Sequence, residues 1–190
     1  MKTGVLAALG YVITIWAVHI VNIVFFGGYL AQILGIHPLD IPSVWHIFTS
    51  PFIHGSQAHL MANTVPGAIF AFFVGLSGKR AFWEVAFIVA VVGGLGTWIF
   101  GGIGTSHIGA SGMIYGWLAY LVVRGIFNRS LAQAALGVVL AFMYGGLVWG
   151  VLPLEPGVSW QAHLFGAVGG VVAGAAISSD DPKPRRKELQ

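Results

Sequence analysis

Cysteine is absent from the 190-residue sequence, which excludes disulfides, thiol catalysis and thiolate metal sites. Charge is scarce as well. Asp, Glu, Lys and Arg make up 8% of the chain, against about 25% in a soluble domain. The nine basic residues are scattered through short connections and one tail, so they form no stripe for a phosphate backbone, and no nucleic-acid partner is expected. What fills the chain instead is apolar: 57% hydrophobic residues and a mean hydropathy of +0.85 describe a membrane protein. With 28 Gly and 13% aromatics it is not a plain Leu-rich anchor, because Gly permits close helix contact and aromatics favour the interfaces.

Uncharged runs long enough for a hydrocarbon core of about 30 Å predict six spans. They cover roughly 5–26, 56–75, 82–100, 111–127, 131–152 and 160–177, within a single membrane domain over 1–178 followed by a polar tail over 179–190. The first run is too long for the h-region of a signal peptide and has no cleavage site after it. Lys2, Lys79, Arg80, Arg124, Arg129 and the cluster Lys183, Arg185, Arg186 and Lys187 all fall on one side of a six-span arrangement. Both termini are therefore expected in the cytoplasm. The outer connection over 27–55 is long and partly apolar, as expected of a re-entrant or interfacial element. Nothing in the first span suggests a functional role.

The fourth run is short. From Ser111 to Arg124 a helix rises only about 20 Å. With Arg124 near the inner boundary, Ser111 lies on the order of 10 Å below the outer surface, and the glycine-rich segment 101–110 must dip into a wet cavity. Gly109-Ala110-Ser111-Gly112 then places a hydroxyl at a helix N-terminus, where unpaired N–H groups favour an oxyanion. The same pattern, taken alone, is also that of an ordinary N-cap serine.

His163 lies just inside the outer end of the sixth span, at about the same depth, and an ionisable side chain there is a functional candidate. Gly166, Gly170 and Gly174, with Gly112 and Gly116 on the fourth span, allow two backbones to approach and bring Ser111 to the imidazole as nucleophile to general base. His59 and Asn63, four apart on one helix face, are candidate oxyanion donors. His54, His59, His107 and His163 could in principle hold a metal, but no His-Glu-x-x-His pattern or nearby acid completes a site. Aspartyl chemistry and a third catalytic carboxylate fail for the same want of acids, leaving a Ser-His dyad. No metal and no cofactor are expected.

The order and spacing of these pieces resemble the rhomboid family of intramembrane serine proteases, over about Trp45 to Gly174. The carriers are His54 with His59-x-x-x-Asn63, Gly109-x-Ser111-Gly112 with Tyr115, and Ala162-His163-x-x-Gly166-x-x-x-Gly170. The resemblance implies an all-α polytopic protein, a six-transmembrane-helix rhomboid-like bundle of the minimal bacterial form, located in the inner membrane. It implies Ser111 as nucleophile, His163 as base and then acid, and His59 and Asn63 with the Ser111 N–H as the oxyanion site. Tyr115 would pack on the His163 ring, and Gly109 would keep the loop close to a bound substrate strand. The substrates implied are single-span membrane proteins within the lipid bilayer. One departure is that the Trp-Arg often found in the family's first outer loop reads Trp45-His46 here, which bears on how that loop is anchored. Two other function classes remain open: a non-proteolytic relative that binds membrane clients, and a small transporter, which the absence of an evident inverted repeat disfavours.

Overall fold

A computed structural model describes residues 1–177, and the tail expected over 179–190 lies outside them. The described chain is all-helical apart from one isolated bridge between Ile36 and His107. Its α-helices are α1 (Lys2–Phe26), α2 (Leu30–Leu34), α3 (Gln57–Gly75), α4 (Lys79–Phe100), α5 (Ser111–Phe127), α6 (Leu131–Met143) and α7 (Trp160–Ala176), with 3₁₀ segments at Ile41–Phe48, Ser50–Phe52 and Gly145–Val151. Local chemistry sets several of these ends. Gly27 closes α1 in the left-handed region at φ 56°, and the Ser56, Ser130 and Ser159 hydroxyls cap α3, α6 and α7.

Three helices, α1, α3 and α4, are long and apolar enough to cross a membrane, and α6 with the 3₁₀ segment after it would make a fourth. The protein is an integral membrane protein. The fifth run does not form the straight span expected over 131–152: α6 stops at Met143 and the chain bends by 69° into Gly145–Val151. The reason is local. Gly145 and Gly146 weaken the helix where it would have to continue, and Pro153 denies it an N–H further on. The Tyr144 ring, edge-on to Phe70 of α3 at 4.8 Å, fixes the corner. The segment 27–55 folds as α2 and two 3₁₀ turns laid on the C-terminal end of α4, where Trp98 Nε1 donates to the Asp40 carbonyl at 3.0 Å.

The centre is built from α4, α5 and α7 in backbone contact. A Cβ on Gly166 would meet the Gly112 carbonyl, one on Gly170 the Gly116 carbonyl, and one on Gly93 would lie 3.1 Å from the Gly166 Cα. The expected Gly stripes are thus the contact itself, and they set the register of α5 against α7. Helix α1 packs mainly on α3, through Gly4 against Gly75 and Tyr11 against Gly67, and touches α5 where the Tyr11 ring meets Trp117 edge-on at 5.6 Å. It is less featureless than its sequence implies: Tyr11 Oη donates to the Asn63 carbonyl at 3.0 Å and Trp16 Nε1 to Thr64 Oγ1 at 3.1 Å. Arg124, buried near the end of α5, donates to Ser77 Oγ and lies over the Tyr120 ring at 5.1 Å. It therefore shares the α3–α4 end of the bundle with Lys79 and Arg80.

Gly170→Val should lower the unfolding free energy by about 1–3 kcal/mol, the usual cost of overpacking a tight core. Gly10→Ala, where a Cβ meets nothing within 4 Å in the middle of α1, should instead raise it by up to about 1 kcal/mol. Thermal unfolding in detergent checks both.

Candidate active site

Ser111 is the first residue of α5, and the N-cap is Ala110, which contributes no side-chain cap. Ser111 is therefore not an N-cap serine. Its hydroxyl turns outward to α7, where Oγ and His163 Nε2 are 2.8 Å apart. The other ring nitrogen, Nδ1, lies 2.8 Å from the Gly150 carbonyl. A carbonyl only accepts, so in the neutral ring Nδ1 holds the proton and Nε2 presents its lone pair to the hydroxyl. Tyr115, one turn along α5, stacks on the imidazole with centroids 4.1 Å apart and planes within 7°. Tyr115 Oη in turn donates to the Leu147 carbonyl at 2.8 Å. The bent 3₁₀ segment thus supplies one backbone acceptor to the imidazole and another to the ring that holds it.

The loop before Ser111 is fixed from both sides. Gly109 adopts φ 110°, donates its N–H to the Ser50 carbonyl at 2.9 Å, and passes so near His59 that a Cβ would sit 2.5 Å from Nε2. Both features require glycine. The structure places His59 at that loop, whereas the Asn63 amide donates to the His59 carbonyl at 3.0 Å. Among the described residues neither side chain is bonded to Ser111. His54 packs edge-on to His59 at 5.0 Å, and its burial, with His59 beside it, pushes the imidazole down to about 4. Among the described residues, no group of three or more His, Asp or Glu side chains could hold a metal ion.

Three contributors have partners that the sequence does not reveal. The first is the Gly150 carbonyl, a backbone group with no residue signature. The second is His107, whose Nε2 lies 3.0 Å from the Gly101 carbonyl and whose Nδ1 is 2.6 Å from Ser159 Oγ. Nε2–H donates and Nδ1 accepts from the serine hydroxyl, so one ring ties the end of α4, the loop leading to Ser111 and the cap of the helix bearing His163. Its burial lowers the His107 imidazole too. The third is His46, which stands where the family often has Arg: it is buried, stacks edge-on to Trp45 at 4.4 Å, and its Nδ1 donates to the Gly35 carbonyl at 2.7 Å. The first outer loop is anchored by this substitute.

The family model for the Rhomboid domain matches residues 42–180. The chain is similar to Uncharacterized protein Rv1337 of Mycobacterium tuberculosis, with 43% identity over 159 residues, 80% of this chain and 66% of the relative. It is 41% identical over 159 residues to Uncharacterized protein ML1171 of Mycobacterium leprae, covering 80% of this chain and 63% of that one. At greater distance it matches "Putative rhomboid protease YdcA" of Bacillus subtilis, 26% identical over 130 residues, 66% of this chain and 63% of the relative. The chain spans just under two thirds of the length of these relatives.

His107→Leu should cost about 1–3 kcal/mol through the polar groups it strands, with faster amide exchange over 101–110 as its local signature. Acid should also weaken the fold. The unfolded chain binds a proton at His54 near the ordinary 6.5 and the folded chain only near 4, so stability falls as pH drops through that window. His54→Asn should flatten this part of the pH dependence of the unfolding midpoint.

Proposed function

The chain belongs to the rhomboid family, and on that premise we propose that it is an intramembrane serine endopeptidase that cleaves transmembrane segments of other membrane proteins. The observation that carries the reading is the 2.8 Å contact between Ser111 Oγ and His163 Nε2. With Nδ1–H engaged by Gly150, the imidazole is in the tautomer a general base needs. Ser111 Oγ attacks the scissile carbonyl carbon while His163 Nε2 takes its proton. The imidazolium returns that proton to the leaving amine, and an acyl-enzyme remains on Ser111. Water, deprotonated by the same nitrogen, then hydrolyses the ester.

For the oxyanion, the Ser111 N–H at the uncapped start of α5 is one donor, and His59 and Asn63 are the side-chain donors. Asn63 reaches this role by turning its amide from the His59 carbonyl, or by using its second hydrogen. Gly109 leaves room for an extended substrate strand, the form in which a peptide bond is exposed to attack. The topology proposed with this mechanism is six crossings, formed by α1, α3, α4, α5, bent α6 and α7. Both termini face the cytoplasm, the dyad faces a cavity open to the outside of the bacterial inner membrane, and the first outer loop lies in the interface. The clients proposed are single-span proteins that unwind readily near their outer ends.

The second reading, client binding without proteolysis, is disfavoured by the intact Ser111–His163 contact. Purified protein reconstituted in liposomes should cut a single-span reporter in or beside its span and react with a fluorophosphonate at Ser111. Ser111→Ala and His163→Ala should each reduce cleavage by at least about 10³-fold, the scale of losing a nucleophile or its base. Cleavage that persists in Ser111→Ala would overturn the serine mechanism. A folded sample that neither cuts nor labels would favour client binding.

A further inference from the structure

We infer that Pro153 is a positioning residue for His163: by lacking an N–H it reserves the Gly150 carbonyl as the acceptor that fixes the imidazole tautomer. The inference rests on the proposed role of His163, but its own evidence is the backbone accounting of residues 144–154. In a 3₁₀ segment each carbonyl accepts from the N–H three residues on. For Gly150 that residue is Pro153, which has none and whose ring favours the extended conformation that Leu152 adopts at ψ 149°, so that the turn ends there. The next candidate, the Leu154 N–H, is committed to the Leu152 carbonyl at 2.8 Å, and the Leu152 N–H to Trp149 at 3.2 Å. Gly150 is thereby left with a carbonyl that the turn cannot use, and it accepts from His163 Nδ1 at 2.8 Å.

The residue at 150 is constrained as well. A Cβ there would run into Tyr115 Oη and lie 3.1 Å from His163 Nδ1, so only glycine lets this strand of backbone reach the ring. Gly150 and Pro153 together do in main chain what a buried aspartate does in a serine triad. The second bond of His163 goes to this carbonyl and not to a carboxylate.

An ordinary residue at 153 restores an N–H and lifts the restriction that proline places on Leu152, so that the turn can continue by one residue and bring that N–H to the Gly150 carbonyl in competition with the imidazole. The test uses the full chain in detergent, with Pro153→Ala beside a variant carrying lactic acid at position 153. The second has the alanine side chain and an ester in place of the amide, so it lacks the N–H without having the proline ring. Two quantities are read: the ¹⁵N shifts of the His163 ring, which distinguish an Nδ1-bound from an Nε2-bound proton, and the rate of fluorophosphonate labelling at Ser111. Pro153→Ala should spread the ring over both tautomers and slow labelling by about tenfold or more, in the range that loss of an orienting outer partner costs. The lactic acid variant should return both to those of the unaltered protein. A ring that keeps its Nδ1 proton in Pro153→Ala overturns the inference, and so does a lactic acid variant whose ring has lost it. If Pro153→Ala does not fold, the lactic acid variant decides by the same two outcomes. If the ring responds as expected while even the unaltered protein resists labelling, the positioning role stands and the hydrolytic reading falls.

Discussion

A backbone carbonyl or amide placed in hydrocarbon costs several kcal/mol unless it finds a partner within the protein. That constraint organises this molecule. Continuous helices meet it internally, but chemistry needs polar groups not already committed to a helix. The bundle resolves the conflict by breaking its helices only at one end, and by giving each broken piece a defined partner. Gly109 N–H goes to Ser50, the Ile36 and His107 main chains pair with each other, and the Gly150 and Leu147 carbonyls receive His163 and Tyr115. The irregular backbone is thus both the walls and part of the equipment of the site.

The placement of that equipment depends on the glycine contacts beneath it. Because Gly112 and Gly116 touch Gly166 and Gly170 backbone to backbone, α5 and α7 cannot slide or separate without a vacancy or a clash. Ser111 and His163 lie in the first turns of these same two helices. Their spacing is therefore set within about two turns by residues that have no side chains, and the His107 ring closes the arrangement by joining both supporting loops.

Much of this was legible in the sequence. Helix limits followed from hydropathy runs and from Ser and Gly punctuation, and α3, α5 and α7 fall within a residue or two of the expected ranges. The approach of Ser111 to His163 was legible because both residue types carry chemistry and the glycine stripes gave the register, whereas the Tyr115 stack was expected only from the resemblance to the rhomboid family. The break after Met143 was not, since hydropathy passes through a bend that only the Gly145-Gly146 pair and Pro153 announce. His107 was visible only as a candidate ligand, because its partners, Gly101 and Ser159, are brought to it by the fold. The Gly150 carbonyl had no signature of its own. Its signal was the Pro three residues later, legible once the segment is known to be a 3₁₀ turn. The specific pairing of α1 with α3 through Tyr11 and Trp16 escaped notice for a similar reason, as such residues are common at membrane interfaces without it.

Holding the imidazole with a peptide carbonyl has a consequence of its own. An aspartate in that position is an ion that has to be taken out of water, and it loses its grip when it takes up a proton. A peptide carbonyl carries no net charge and does not titrate. In a membrane protein, the support of His163 therefore adds no ion to be kept from hydrocarbon, and it does not change with pH. The weakness moves elsewhere, from electrostatics to geometry: what fails such a support is not a change of solution but a small movement of the turn that carries it.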